Sequence, residues 1–167
     1  MTKNLDFIAY PFLSEDSQMV NHEILTDKLS AILGSIVSLG TPLEKETWWI
    51  MNRVLHLNGS LRGKMAVSID DISDGQTIYH VLRERNKDRL KGFIYPLGNN
   101  VSCQYHIARC EAKIVTRNLY LLQKSGIIVP QVLIDLSNLI ANILFAMSLE
   151  VNRLENINEI EFISKSY

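Results

Sequence analysis

Val101, Tyr105, Ala108, Ala112, Val115, Leu119 and Leu122 succeed one another at alternating steps of four and three. Over more than five turns this spacing holds one apolar stripe on one side of an α-helix, a period that a strand cannot satisfy. A helix of that length must bury its stripe against other elements, and Ala108 and Ala112 let a neighbouring helix come close. Gly126 is placed to end it.

The same stepping recurs elsewhere. Leu25, Leu29, Ile32, Ile36 and Leu39 predict a helix that stops at Gly40, Thr41 and Pro42. Leu43, Thr47, Ile50, Val54, Leu57 and Leu61 predict a second one just after Pro42. A third, over about residues 70–90, carries Ile72, Tyr79, Leu82 and Leu90 with much charge between them, so it is expected to be mostly exposed. After Pro130, suited to a first helical turn, Leu133, Leu136, Ile140, Ile143, Met147 and Leu154 fall on one face of a last long helix. The Pro- and Gly-punctuated stretch from Gly92 to Gly98 reads as a loop with its aromatics anchored, and residues 155–167 fit no pattern. Without strand-like alternation, the expectation is an all-α fold, a single five-helix bundle spanning residues 1–167.

The 167 residues are 47% hydrophobic, enough for a sizeable core in one domain. Seventeen Lys and Arg balance eighteen Asp and Glu, so net charge points to no nucleic-acid or membrane-surface partner and any charge-driven recognition is local. The two cysteines and the lack of a signal-peptide pattern make a reduced, cytoplasmic protein the expectation. The longest apolar runs, such as Gly126 to Pro130, are too short to span a bilayer, so no membrane segment is expected.

Arg109, Lys113 and Arg117 stand four residues apart, three cations in a row beside the apolar stripe. Such a row suits a polyanion, since arginine offers a bidentate fork to phosphate and lysine a compact charge; it equally suits a solvated face. Cys103, His106 and Cys110 share one face, but no fourth ligand closes a zinc site, and no metal is expected. Asn138 and Asn142, one turn apart, can hydrogen-bond a ligand or bridge helices as buried amides. His22, His56 and His80 are scattered with no triad spacing, and neither a Walker loop nor a dinucleotide fingerprint occurs. Trp48 and Trp49 point about 100° apart on a helix, so one can face the bundle and the other an interface or ligand.

Phe93-Ile94-Tyr95-Pro96-Leu97-Gly98, followed by Ser102, His106 and Arg109, resembles the F-I-L-P-G-G … S … L-H … A-R segment of the PduO-type ATP:corrinoid adenosyltransferases. The family's next helix reads C-R-R-A-E-R-R, matched here by Ala112, Lys113, Ile114, Val115, Thr116, Arg117 and Asn118. Residues 26–34 resemble its V-D-E-L-N-S-x-I-G, residues 50–58 its I-Q-x-D-L-F-x-L-G, and residues 138–145 its N-R-L-S-D-L-L-F. Together these pieces span about residues 20–150 in the family's order.

The resemblance implies a homotrimer of five-helix bundles whose sites between subunits bring ATP with Mg2+ to cob(I)alamin, both as substrates. It implies a salt bridge across that interface between Asp27 and Arg109, and Phe93 set against the corrin. ATP would meet Thr2, Lys3, Lys113, Arg117, Asn138 and Asn142, with Lys113, Asn138 and Arg109 at the reacting centre. A corrinoid reductase or a B12-dependent enzyme is the protein partner the activity implies.

The departures fall on the nucleotide side. Thr2-Lys3-Asn4-Leu5-Asp6 echoes the family's triphosphate loop, but no glycine precedes Gly34, and glycines are what let backbone N–H groups close on phosphate. Ile114, Thr116, Leu139 and Asn142 replace charged residues. Two further readings therefore stand beside the enzyme: a non-catalytic corrinoid or nucleotide binder acting as carrier or sensor, and a helical scaffold without ligand.

Overall fold

The structure, a computed structural model, describes residues 4–9, 13–89 and 92–166. Five α-helices make up the fold: α1 Gln18–Ser38, α2 Glu44–Arg62, α3 Ile69–Arg85, α4 Asn100–Lys124 and α5 Gln131–Leu154. Single 3-10 turns occupy Leu5–Phe7 and Lys87–Arg89, and among the described residues the one β-type pairing is an isolated antiparallel bridge between Ile94 and Glu161. The all-α expectation holds.

The helix ends follow local chemistry. Ser17 caps α1 by accepting from the Met19 N–H at 3.2 Å, which starts the helix seven residues before the first stripe residue, Leu25. Ser68 and Asp71 form a reciprocal capping box at α3, and Asn99 accepts from the Ser102 N–H at 2.9 Å at the start of α4. Gly126 at φ +90° closes α4, with Gly126 N–H donating to Gln123 O and Ile127 N–H to Leu122 O, a turn that glycine enters without strain. α3 stops at Arg85, short of the expected residue 90, because the buried Asn86 turns its side chain back onto Leu82 O at 2.8 Å.

α1 packs between α2 and α4, α5 packs between α4 and α3, and α2 meets α5 more narrowly. All seven stripe residues of α4 are buried. Their polar exception, Tyr105, shares its hydroxyl with Thr41 Oγ1 at 2.8 Å and Thr47 Oγ1 at 2.6 Å, tying α4 to the α1–α2 turn and to α2. Burial pushes its phenol above the usual range, which keeps the proton available for these bonds. α3 crosses so close that a Cβ on Gly75 would meet Leu139 Cδ2 at 2.8 Å and Trp49 Cη2 at 3.0 Å. Trp49 is half-buried there and Trp48 is exposed, as their 100° separation requires.

α5 departs from the one-faced helix expected of it. Ala146 through Asn152 are buried without interruption, so this helix is enclosed on all sides in its second half. Its buried polar groups find partners that sequence periodicity does not reveal: Ser137 meets Thr116 at 2.6 Å, and Ser148 O accepts from Ser102 Oγ at 3.1 Å. Leu154, assigned to the apolar face, is exposed at the helix end, and Val151 is buried in its place. By length and composition α5 could cross a membrane, which a count of consecutive apolar residues overlooks; 67% of its most apolar window is buried inside the bundle.

Candidate functional site

α4 and α5 run antiparallel, and the outer edge of their contact forms a groove of about 470 Å³. Lys113, Arg117 and Lys124 line it from α4, Asn138 from α5, and Tyr120 and Leu121 add apolar wall. Three of the residues assigned to nucleotide from sequence therefore meet on one surface. Among the described residues none of the three cations is paired with a carboxylate, and none of the groove's lining residues is acidic. Unneutralised cations at this density repel one another, an arrangement that an anion relieves. Lys124 was not singled out in the sequence, although it lies seven residues beyond Arg117, on the same stripe.

Thr116, at the floor of the groove, is buried and donates to Ala112 O at 3.0 Å while sharing a hydrogen bond with Ser137. Asn138 and Asn142 are both exposed, which removes the reading of buried amides bridging helices. Asn138 Nδ2 donates to Ile134 O one turn back at 3.1 Å, fixing the amide against its own helix.

Arg109 lies one turn before Lys113 but outside this groove. Its guanidinium stacks over the Phe145 ring at 4.8 Å from the centroid, joining α4 to α5. His106 lies beside the same ring, 6.1 Å between centroids. Burial holds the His106 imidazole below its ordinary pKa, with the Arg109 charge acting in the same direction and Glu159 against it. Asp27 is exposed on α1, and among the described residues it makes no ion pair with Arg109 inside the chain. The neighbouring Lys28 instead binds Glu111 of α4 at 2.7 Å.

Phe93 sits in the loop before α4 and is 63% exposed. The loop is anchored through its backbone and through side chains, the Tyr95 ring among them. Phe162 N–H donates to Phe93 O at 2.7 Å and Tyr95 N–H to Ile160 O at 2.9 Å. Tyr95 and Phe162 meet edge to face at 5.4 Å, Arg89 pairs with Glu159 at 2.8 Å, and Asn152 Nδ2 donates to Leu97 O at 2.9 Å. The tail that carried no sequence signal thus straps the loop that presents Phe93.

Thr2 and Lys3 lie outside the described residues, as does Leu90. Among the described residues no group of three His, Cys, Asp or Glu side chains is placed to hold a metal ion. Cys103 directs its thiol to Gly98 O at 3.7 Å, and Cys110 is exposed.

Among solved structures, the chain is similar to a Phe-to-Ala variant of a PduO-type ATP:corrinoid adenosyltransferase from Lactobacillus reuteri, complexed with cobalamin and ATP. The TM-score is 0.80, over 89% of this chain and 88% of that one. What is shared is the fold. Sequence identity between the two is 17%. No protein-family model and no curated protein matches the sequence.

Proposed function

We propose that the protein is an ATP:cob(I)alamin adenosyltransferase, which moves the 5′-deoxyadenosyl group of MgATP to the cobalt of a reduced corrinoid. The observation that carries this reading is the meeting of Lys113, Arg117, Lys124 and Asn138 in one anion-ready groove. It supports an ATP site because the fold is one that a cobalamin- and ATP-bound adenosyltransferase also has.

In the reaction the cobalt(I) electron pair forms the bond to C5′ while the C5′–O bond breaks, and its electrons leave on triphosphate. The protein's task is to hold the two substrates in line and to stabilise the charge that grows on the leaving group. Lys113 and Arg117, with Lys124, would bind the phosphates, and Asn138 and Asn142 the ribose or base. Thr2 and Lys3 would reach the phosphates from the N-terminal segment. With no carboxylate among the described residues that line the groove, Mg2+ would be carried by the phosphate oxygens themselves.

Phe93 would lie against the corrin. Arg109, held by Phe145, would pair with Asp27 of a neighbouring subunit in a homotrimer, the whole chain acting as one bundle in the cytoplasm. A corrinoid reductase would supply the reduced substrate and a B12-dependent enzyme would consume the product. Lys113→Ala tests the assignment: the reading expects cobalt–carbon bond formation to fall by about tenfold or more, the scale of one lost charge-assisted phosphate contact. Unchanged turnover would remove Lys113 from the site.

One observation favours a second reading, a carrier or sensor that binds without turnover. Thr116 stands where the family has a glutamate, and it is buried, neutral and spent on Ser137 and Ala112. Binding of cob(I)alamin and MgATP with no cobalt–carbon bond formed would select this reading over the enzyme.

A further inference from the structure

Glu159 lies beyond the last helix, yet its side chain is only 8% exposed. Its two oxygens bind different elements. Oε2 accepts at 2.8 Å from Nη1 of Arg89, in the 3-10 turn before the Phe93 loop, and Oε1 accepts at 3.4 Å from Nδ2 of Asn152 on α5. The same Arg89 nitrogen donates to Ile157 O at 2.8 Å, and the same Asn152 nitrogen donates to Leu97 O at 2.9 Å. One carboxylate thus ties the tail to the start of the loop through Arg89 and to its far end through Asn152.

The local charge makes this tie necessary. Asp88, Glu159 and Glu161 line one cavity of about 330 Å³ beside the loop, and among the described residues that line it Arg89 is the one cation. Three carboxylates without that cation repel one another, so Arg89 is what lets an acidic tail lie against the loop. The approach is close, since a Cβ on Gly92 would meet Glu161 Oε1 at 3.3 Å. Just beyond Glu159 come the two backbone bonds of the strap, Tyr95 N–H to Ile160 O and Phe162 N–H to Phe93 O. The four residues that make them are exposed, so water competes for both bonds and they depend on an anchor nearby.

Resting on the corrinoid reading above, we propose that Glu159 is a positioning residue for the corrin half of the site. Held by Arg89 and Asn152, it keeps the backbone of Phe93 in one place before the substrate arrives. A loop ordered in advance spares binding the entropy of ordering it, worth about tenfold in affinity for each residue so fixed. Glu159 touches neither substrate in this account and acts only through the loop.

The test uses the full chain, with hydroxocobalamin and inorganic triphosphate as ligands and amide hydrogen exchange as the structural readout. Glu159→Gln keeps the size of the side chain but removes its charge and leaves Arg89 without an ionic partner at that position. It is expected to weaken hydroxocobalamin binding about five- to tenfold and to speed exchange at Tyr95 and Phe162, while triphosphate affinity and exchange in α4 stay as in the parent. Arg89→Met should do the same. Arg89→Lys should restore binding, because a single arginine nitrogen makes both bonds and an ammonium has three donors. Hydroxocobalamin affinity equal to the parent's in Glu159→Gln overturns the assignment, and so does an equal loss of triphosphate affinity, which would make Glu159 a residue of general stability. A parent chain that binds no hydroxocobalamin rejects the corrinoid reading and the assignment with it; a parent and a variant that bind it equally reject the assignment alone.

Discussion

The Arg109 guanidinium lies 4.8 Å from the centre of the Phe145 ring, so the cation that opens the charged row of α4 is held by an aromatic residue of α5. The contact fixes where a side chain with many rotamers points. Phe145→Leu keeps apolar volume but removes the ring face, and it should lower stability by about 1 kcal/mol, the cation–π term plus imperfect packing. Urea denaturation checks this: the midpoint should fall with an unchanged slope. A midpoint equal to that of the parent protein would mean that the stacking contributes nothing.

Gly98 controls the loop that carries Phe93. A Cβ there would stand 2.1 Å from Asn152 Oδ1 and 2.7 Å from Ser102 Cβ, and the Ser102 carbon cannot swing away. Gly98→Ala should therefore displace the loop from α5, break the Asn152 bond to Leu97 O and cost about 1–3 kcal/mol. Thermal denaturation gives the loss, and faster amide exchange at Tyr95 and Phe162 would place it in the strap. Slow exchange at both amides would contradict the mechanism.

The helices with one buried face were legible in the sequence because burial there follows a 3.6-residue period, as in α4 from Val101 to Leu122. α5 was only half legible. Ser137, Ser148, Glu150 and Asn152 are polar residues outside the apolar stripe, yet each is buried, and three of them bind the Thr116 and Asn86 side chains and the backbone of Leu97, partners remote in the chain. The strap is a few backbone hydrogen bonds between residues more than sixty apart, which leaves no local pattern to read. On the groove, charge spacing gave Lys113 and Arg117, but their meeting with Asn138 depends on how α4 and α5 pair.

His22 ties stability to pH. Its imidazole is buried in α1 with neither nitrogen hydrogen-bonded, and burial lowers its pKa to about 4, against the opposing influence of the Asn118 amide beside it and with that of Arg62. The unfolded chain takes up this proton near pH 6.5 and the folded one only near 4, so stability is full above 6.5 and falls as the pH drops through that window. The loss is on the order of 3 kcal/mol at its limit. His22→Leu should flatten denaturation midpoints between these pH values, and a slope equal to the parent's would assign the titration to another group.

In the proposed site Lys113 and Lys124 face one groove and would act on the same anion. Replacing either by Ala should weaken inorganic triphosphate binding about five- to tenfold, and raising salt should shrink that difference, since both groups are exposed. Isothermal titration at two ionic strengths reads both effects. Equal affinity in parent and variants would reduce the row to a solvated face.

The most direct test is an anaerobic spectrophotometric assay with chemically reduced cob(I)alamin and MgATP. The account predicts that the cob(I)alamin band decays as a light-sensitive cobalt–carbon bond forms, with one triphosphate released for each corrinoid converted. A cob(I)alamin spectrum that persists in the presence of MgATP, with no triphosphate released, would contradict it.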